Sequence, residues 1–325
     1  MRAHVPDRAL TTTKMEKDMN NPGKRLRELI DAPEILVMPG IYDGYSARMV
    51  KKYGFPAGFL TGGGISEARL GQPDIGLMGM EENLATCRAM VACCDLPMIA
   101  DGDTGYGNAV NVHHMVRAFE QAGVGGVMIE DQVWPKRCGH MKGKEVISAE
   151  EMVQKIRAGA QARRNPDFII KSRTDSYGTH GLAEAIRRLN LYAQAGADLL
   201  FADAVLREED IATLVREVTK PVSVNMGFGI RQRSTTPLIS ARRLQDLGVA
   251  AVIYPRLLTS AAIQGMINGM NALCASLGRD EIVERPDLAV SFEDLNALVG
   301  FDEAQSLEQQ FLTEETLNRK YGPAR

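Results

Sequence analysis

A chain of 325 residues that is 45% hydrophobic and 24% charged has apolar material for one large domain or two small ones, in the proportions of an ordinary globular protein. Its formal net charge of -3, with no long basic run, excludes a general attraction to nucleic acid or to an anionic membrane and favours small-molecule partners. Five cysteines, an odd number outside any secretory context, argue against a disulfide framework.

The opening segment, MRAHVPDRALTTTKMEKDMNNPGK, lacks the apolar core of a signal peptide, and no run of about 18 uninterrupted apolar residues follows it. A cytoplasmic protein is expected, with residues 1–22 loosely ordered. From there short apolar runs alternate with amphipathic ones. The strand-like runs are EILVMPG (34–40), GFLTGGG (58–64), LPMIADGDTG (96–105), GGVMIEDQ (125–132), FIIKSRTD (168–175), ADLLFADA (197–204), PVSVNM (221–226) and VAAVIYP (249–255). Between them, SARMVKKYG, EENLATCRAMVACC, VNVHHMVRAFEQAG, SAEEMVQKIRAGAQARR, LAEAIRRLNLYAQAG, EEDIATLVREVT and SARRLQDLG carry helical spacing, several opening on Ser or an acid and closing at Gly. Apolar strands that do not alternate are buried on both faces, so eight βα units predict a parallel (β/α)8 TIM barrel over residues 23–280. An open doubly wound sheet is the alternative, disfavoured because no G-x-G-x-x-G follows the first strand. SAAIQGMINGMNALCASLG is read as the eighth helix, and residues 281–325 as a helical extension packed on a neighbouring subunit or on its own barrel.

In such a barrel the chemistry sits at the C-terminal ends of the strands. Strand two ends in Thr61-Gly62-Gly63-Gly64, whose glycines let backbone N–H groups approach an anion. Strand three ends in Asp101 and Asp103, strand four in Glu130 and Asp131, strand five in Arg173 and Asp175, strand six in Asp203, and strand seven in Asn225, with Asp74 in the loop after strand two. Any single acid of this set more commonly caps a helix or forms a salt bridge. Gathered at one mouth they repel one another, and a divalent cation relieves that; hard oxygen ligands without histidine select magnesium or manganese over zinc. Arg173 and Asn225 read as binders of carboxylate or hydroxyl oxygens, against the alternative of a salt bridge inside the barrel. His113, His114 and His180 are assigned no chemistry.

The segment KRCGHMKGK (136–144) places Cys138 among Lys136, Arg137 and His140, neighbours that favour the thiolate. Gly143 provides a hinge for a loop that closes and excludes water. The competing reading is a small structural cysteine in a charged loop.

KRCGH preceded by IEDQ and DGDTGYG, with TGGG and QPDIG upstream and SRTD downstream, resembles the isocitrate lyase and phosphoenolpyruvate mutase superfamily, from MPGIYDG at 38 to VIYP at 254. The length is similar to that of the short Cys-containing lyases, which include methylisocitrate lyase and 2,3-dimethylmalate lyase. The resemblance implies a tetramer with the eighth helix exchanged between subunits and an essential Mg²⁺, held by Asp101 and Asp103 with Asp74 and Glu130 in support. It implies that Thr61, Gly62 and Gly63 bind the substrate carboxylate, that Arg173 and Asn225 grip the remaining oxygens, and that Gly139 and His140 take the distal carboxylate. Lys136, Asp203 and Thr236 are counted among the substrate-binding positions. The implied reaction is retro-aldol cleavage of a 2-hydroxy di- or tricarboxylate, with Cys138 as general acid and Tyr42 as the candidate for handling the hydroxyl proton.

Two features depart from that pattern. Asp203 in FADA stands where methylisocitrate lyases carry a glutamate, one methylene longer, and NMGFGIRQRSTTPL is longer and more basic than the corresponding loop. Both bear on substrate identity. Hydrolysis of oxaloacetate or a related 2-oxo diacid is the next reading, phosphonate P–C bond chemistry the third, and a non-catalytic barrel that binds a dicarboxylate as a sensor or has become a structural subunit the reading from another class.

Overall fold

The structure, a computed structural model, describes residues 21–138, 143–228, 236–279 and 284–322. The segment expected to be loosely ordered lies almost wholly outside them. All eight expected strands form: β1 (Leu36–Ile41), β2 (Gly58–Leu60), β3 (Met98–Asp101), β4 (Gly126–Glu130), β5 (Ile169–Thr174), β6 (Leu199–Ala202), β7 (Ser223–Asn225) and β8 (Ala251–Tyr254). Their hydrogen-bonded order is β6-β5-β4-β3-β2-β1-β8-β7. Every pairing is parallel, with registers such as Met38 against Ile253 and Met128 against Lys171. A parallel bridge between Leu200 and Val222, where the Leu200 N–H donates to Pro221 O at 2.9 Å, brings the two outer strands together and closes the ring.

The apolar residues of each strand divide between two clusters. Met38, Phe59, Ile99, Met128, Ile169, Leu199, Phe201 and Ile253 fill the inside of the barrel. Val127, Ile129, Ile170, Leu200 and Val252 face the surrounding helices. This double burial is why the strands read as continuous apolar runs. Each fully buried large side chain contributes roughly 1.5–3 kcal/mol.

The helices begin where the sequence punctuates them. Asp43 caps α2 (Gly44–Lys52) by accepting from the Ser46 N–H at 2.7 Å, and Ser148 caps α6 (Ala149–Ala162) by accepting from the Glu151 N–H at 3.1 Å. Between these lie α3 (Gly62–Leu70), α4 (Met80–Cys93) and α5 (Ala109–Gln121), and after them α7 (Ser176–His180), α8 (Leu182–Ala195), α9 (Glu208–Glu217), α10 (Ala241–Asp246) and α11 (Leu257–Ser276). Two helices depart from the sequence expectation. Helix α1 (Pro22–Ile30) sends Leu26 and Ile30 into the barrel interior, and Arg27 fastens it by donating to Asp167 O at 2.9 Å and to Asp198 Oδ1 at 2.9 Å. Helix α3 starts at Gly62, so the TGGG read as the end of a strand is a helix N-terminus.

The chain divides into two compact units, one ending at Ser260 and one spanning Ala261–Arg325. The second holds most of α11 and three further helices, α12 (Phe292–Val299), α13 (Phe301–Phe311) and α14 (Glu314–Tyr321). Gly300, at φ 81°, separates α12 from α13. Among the described residues no helix is long and apolar enough to cross a membrane.

Candidate active site

A cavity of about 50 Å³ opens at the C-terminal ends of the strands. Of the residues expected there, Thr61, Gly63, Asp74, Asp101, Lys136, Cys138, Arg173, Asp203 and Asn225 line it. Glycine gives the acids room. A Cβ on Gly62 would stand 3.0 Å from Asp101 Oδ2, and one on Gly63 would stand 2.8 Å from Asp74 Oδ2. The first turn of α3 therefore brings its free N–H groups, and the positive end of the helix, next to the acidic cluster.

Asp101 closes β3, and its carboxylate accepts from the Asp103 N–H at 3.1 Å while Asn83 Nδ2 donates to its backbone oxygen at 2.7 Å. Asp103 and Ala204, the latter following Asp203, hold left-handed backbone at φ 48° and 59°. Strain of this kind in residues with a side chain concentrates at functional sites. The Lys136 ammonium lies against Asp74 and 2.8 Å from Asp103 Oδ1. That second contact is an ion pair whose direction misses a hydrogen bond, so Asp103 Oδ1 has no hydrogen-bond partner. Burial, opposed by Lys136 and reinforced by Asp101 and Asp74, pushes the Asp103 carboxyl up to about 6. Burial likewise holds Glu130 well above the usual carboxylate range despite Arg173 beside it, and Glu130 Oε1 has no partner. Lys136 keeps its proton because Asp103, Glu130, Asp74 and Asp101 together outweigh its burial.

These oxygens suit a hard divalent cation, whose charge would relieve the crowding that Lys136 relieves in part. Among the described residues, no group of three or more His, Cys, Asp or Glu side chains forms a ready-made metal cage. The fit rests on the all-oxygen donor set and on Glu130 Oε1, a buried carboxylate oxygen without a partner.

Arg173 organises the opposite wall. Its Nε lies 3.2 Å from Glu130 Oε2 and 2.8 Å from Asp175 Oδ2, and its Nη2 lies 2.9 Å from Asp175 Oδ1 and 3.2 Å from Asp203 Oδ2. Lys144, at the far end of the cysteine loop, donates to Asp175 Oδ1 at 2.8 Å and Asp203 Oδ2 at 3.2 Å. Burial would raise Asp175, but Arg173 and Lys144 outweigh it and hold the carboxyl well below its ordinary value. Asp203 is thus engaged by two cations, and the aspartate noted as a departure belongs to a charge network. Asn225 Oδ1 is buried without a partner, which leaves that amide oxygen available at the cavity wall.

Cys138 is held by its N–H, which donates to Asp74 O at 3.1 Å. Of the neighbours expected to act on its sulfur, Lys136 is turned toward the acids instead, and His140 lies outside the described residues. The donor at the sulfur is Arg256, whose Nη2 lies 3.6 Å away while its other terminal nitrogen pairs with Glu67. Gln132 and Arg137 tie the base of the loop, Gln132 Nε2 donating to Arg137 O at 2.9 Å and the Arg137 N–H to Gln132 Oε1 at 2.9 Å. The return strand is secured by Val133 N–H to Glu145 O and Ile147 N–H to Asp131 O, both 2.9 Å.

Other expected residues stand apart. Glu130 and Asp103 are buried behind the lining and reach it through Arg173 and Lys136. Tyr42 and Thr236 are not among the lining residues; burial and Asp43 raise the Tyr42 phenol. Gly139 and His140 lie outside the described residues. Phe59, Met128, Arg137, Pro255 and Arg256 complete the lining, and of these Arg256 was legible in principle. It directly follows the last strand in VIYPR, a charged residue at a strand's C-terminal end.

The phosphoenolpyruvate phosphomutase family matches residues 26–274. The chain is 39% identical over 293 residues to 2,3-dimethylmalate lyase of Eubacterium barkeri, covering 90% of this chain and 99% of that one. It is 35% identical over 304 residues to 2-methylisocitrate lyase of Aeropyrum pernix, covering 93% and 95%. It superimposes with a TM-score of 0.82 and 29% identity on oxaloacetate acetylhydrolase in complex with the inhibitor 3,3-difluorooxalacetate, covering 89% of this chain and 97% of that one.

Proposed function

Because the chain belongs to the phosphoenolpyruvate phosphomutase family, we propose that it is a Mg²⁺-dependent carbon–carbon lyase. Its substrate would be a 2-hydroxy di- or tricarboxylate of the 2-methylisocitrate or 2,3-dimethylmalate type, cleaved to a 2-oxo acid and a carboxylate. The carrying observation is that the Cys138 thiol and the carboxylates Asp74 and Asp101 line one cavity. Relatives named as lyases of this type support the substrate class.

Asp101 and Asp103, with Asp74 and Glu130 in support, would hold the magnesium or manganese ion, which supplies Lewis-acid charge beside the substrate's hydroxyl and carboxylate when bound. The N–H groups at Gly62 and Gly63, with Thr61, bind the carboxylate next to the hydroxyl. Arg173 and Asn225 orient the remaining oxygens, and Asp203 sets how much of the Arg173 charge is available to them. Gly139 and His140 complete the distal carboxylate site in this reading. As the carbon–carbon bond breaks, its electron pair passes to the carbon next to the departing carboxylate, and the hydroxyl proton leaves as the carbonyl forms. Cys138 gives its proton to that carbon as general acid. In this reading Tyr42, which lies outside the cavity lining, is the candidate for handling the hydroxyl proton.

The competing reading is hydrolysis of oxaloacetate or a related 2-oxo diacid, favoured by the likeness to oxaloacetate acetylhydrolase. A panel of 2-hydroxy and 2-oxo diacids assayed with Mg²⁺ separates them: a lyase releases a new 2-oxo acid, whereas oxaloacetate hydrolysis consumes one. Cys138→Ser should lower lyase turnover by about 10²–10⁴-fold while dicarboxylate affinity, read by calorimetry with Mg²⁺, changes little. An undiminished turnover number would remove the assignment of the acid. Calorimetry without any Mg²⁺-linked dicarboxylate binding would favour a non-catalytic barrel. The same reading places the enzyme in the cytoplasm as a homotetramer that exchanges α11.

A further inference from the structure

Arg256 follows β8 and meets the sulfur of a loop that begins at β4, more than a hundred positions away in the chain. Its guanidinium is shared. One terminal nitrogen pairs with Glu67 on α3, and the other donates toward Cys138 Sγ at 3.6 Å, within range for a sulfur acceptor. The missing Cβ of Gly63 makes room, because a methyl group there would stand 3.2 Å from the same nitrogen. Lys136, the nearest cation in sequence, is committed to Asp74 and Asp103. Among the described residues, Arg256 is the cation hydrogen-bonded to the sulfur. Burial works against its charge, but Glu67 and Cys138 together hold the guanidinium protonated.

We infer that Arg256, steered by Glu67, docks the Cys138 sulfur at the cavity and is the positive charge that stays beside it after the proton has left. This rests on Cys138 being the general acid. In that step the S–H bond breaks, a C–H bond forms on the substrate carbon, and sulfur keeps the electron pair as a thiolate. The guanidinium neither gains nor loses a proton. A hydrogen bond to an ionised acceptor is roughly twice as strong as one to a neutral acceptor, so the contact strengthens as the step proceeds and lowers the barrier more than it tightens substrate binding.

A double-mutant cycle on the full-length protein with Mg²⁺ tests the inference. Arg256→Gln, Arg256→Lys and Glu67→Gln are each measured with Cys138 intact and in a Cys138→Ser background. Arg256→Gln should lower kcat about 10- to 100-fold with KM changed less than about threefold, Arg256→Lys should recover part of the loss, and in the Cys138→Ser background the same changes should cost less than about threefold. Equal losses in both backgrounds would mean that the guanidinium acts independently of the sulfur, and the inference would be wrong. Should Arg256→Gln fail to fold, the Arg256→Lys and Glu67→Gln cycles distinguish coupled from additive losses in the same way. Intact turnover in Cys138→Ser alone would defeat the acid assignment itself, a result separate from additivity in the cycle.

Discussion

Lys171 places its ammonium 4.9 Å from the Phe59 ring centroid and 4.8 Å from that of Phe201, inside the barrel and with no hydrogen-bond partner for the nitrogen. The two ring faces favour the cation. Burial opposes it, with Asp101 and Asp203 on the side of the charge and Arg173 against it, and the amine is pulled from 10.5 down to about 7. The unfolded chain therefore binds more protons than the folded one from roughly pH 7 to 10, so stability should rise with pH across that window. Lys171→Met fills the same space without the penalty. It should melt higher than the parent at pH 7, by an amount on the order of 1–3 kcal/mol, and the advantage should shrink toward pH 10. A parent more stable at pH 7 would show that the rings outweigh burial. The lysine is plain in FIIKSRTD, but its neighbours are not: Phe59 and Phe201 come from β2 and β6. Cys138 is a second case, since its chain neighbours favoured an acidic thiol while the donor at the sulfur is Arg256.

At the scale of elements, the expectation of acids at strand ends divides in two. Asp101, Asp103, Asp74 and Glu130 converge with Lys136 and Arg173. Asp131 is instead a structural hub. Its Oδ2 accepts from Thr174 Oγ1 and Tyr192 OH, both at 2.7 Å, and from Arg188 at 3.1 Å, while Oδ1 accepts from the Asp175 N–H at 2.9 Å. Arg188 also donates to Ile147 O at 2.8 Å, so the hub joins β4, β5 and α8 to the base of the cysteine loop. Asp131→Asn removes one of the two carboxylates that Arg188 pairs with, leaving Glu184 Oε1 at 2.8 Å, and should cost about 1–3 kcal/mol in urea unfolding through the weakened buried hydrogen bonds. A loss below about 1 kcal/mol would mean that the hub relaxes around the amide. The strands were legible because burial on both faces writes long apolar runs. Helix α3 was not, since three glycines carry poor helix propensity.

At the scale of the molecule, the second unit is left with exposed apolar residues at helical spacing. Ile263, Met266, Ile267, Met270, Leu273 and Leu277 follow the i, i+3, i+4, i+7 spacing of one helix face along and just beyond α11, and each is exposed in the single chain. A contiguous apolar stripe of this kind is costly in water, which supports the tetramer proposed above. Met266→Asp combined with Met270→Asp should shift the light-scattering mass to a smaller species, and an unchanged mass would move the subunit interface elsewhere. Composition, two-faced apolar strands and strand-end acids determined by themselves that this chain is an eight-stranded barrel with a polar mouth, because burial and period are local properties. Only the tertiary structure decided which polar groups meet. Charges interact through space over a few ångströms, and the contacts of Lys144 with Asp203 and of Arg256 with Cys138 join segments that the chain order keeps apart.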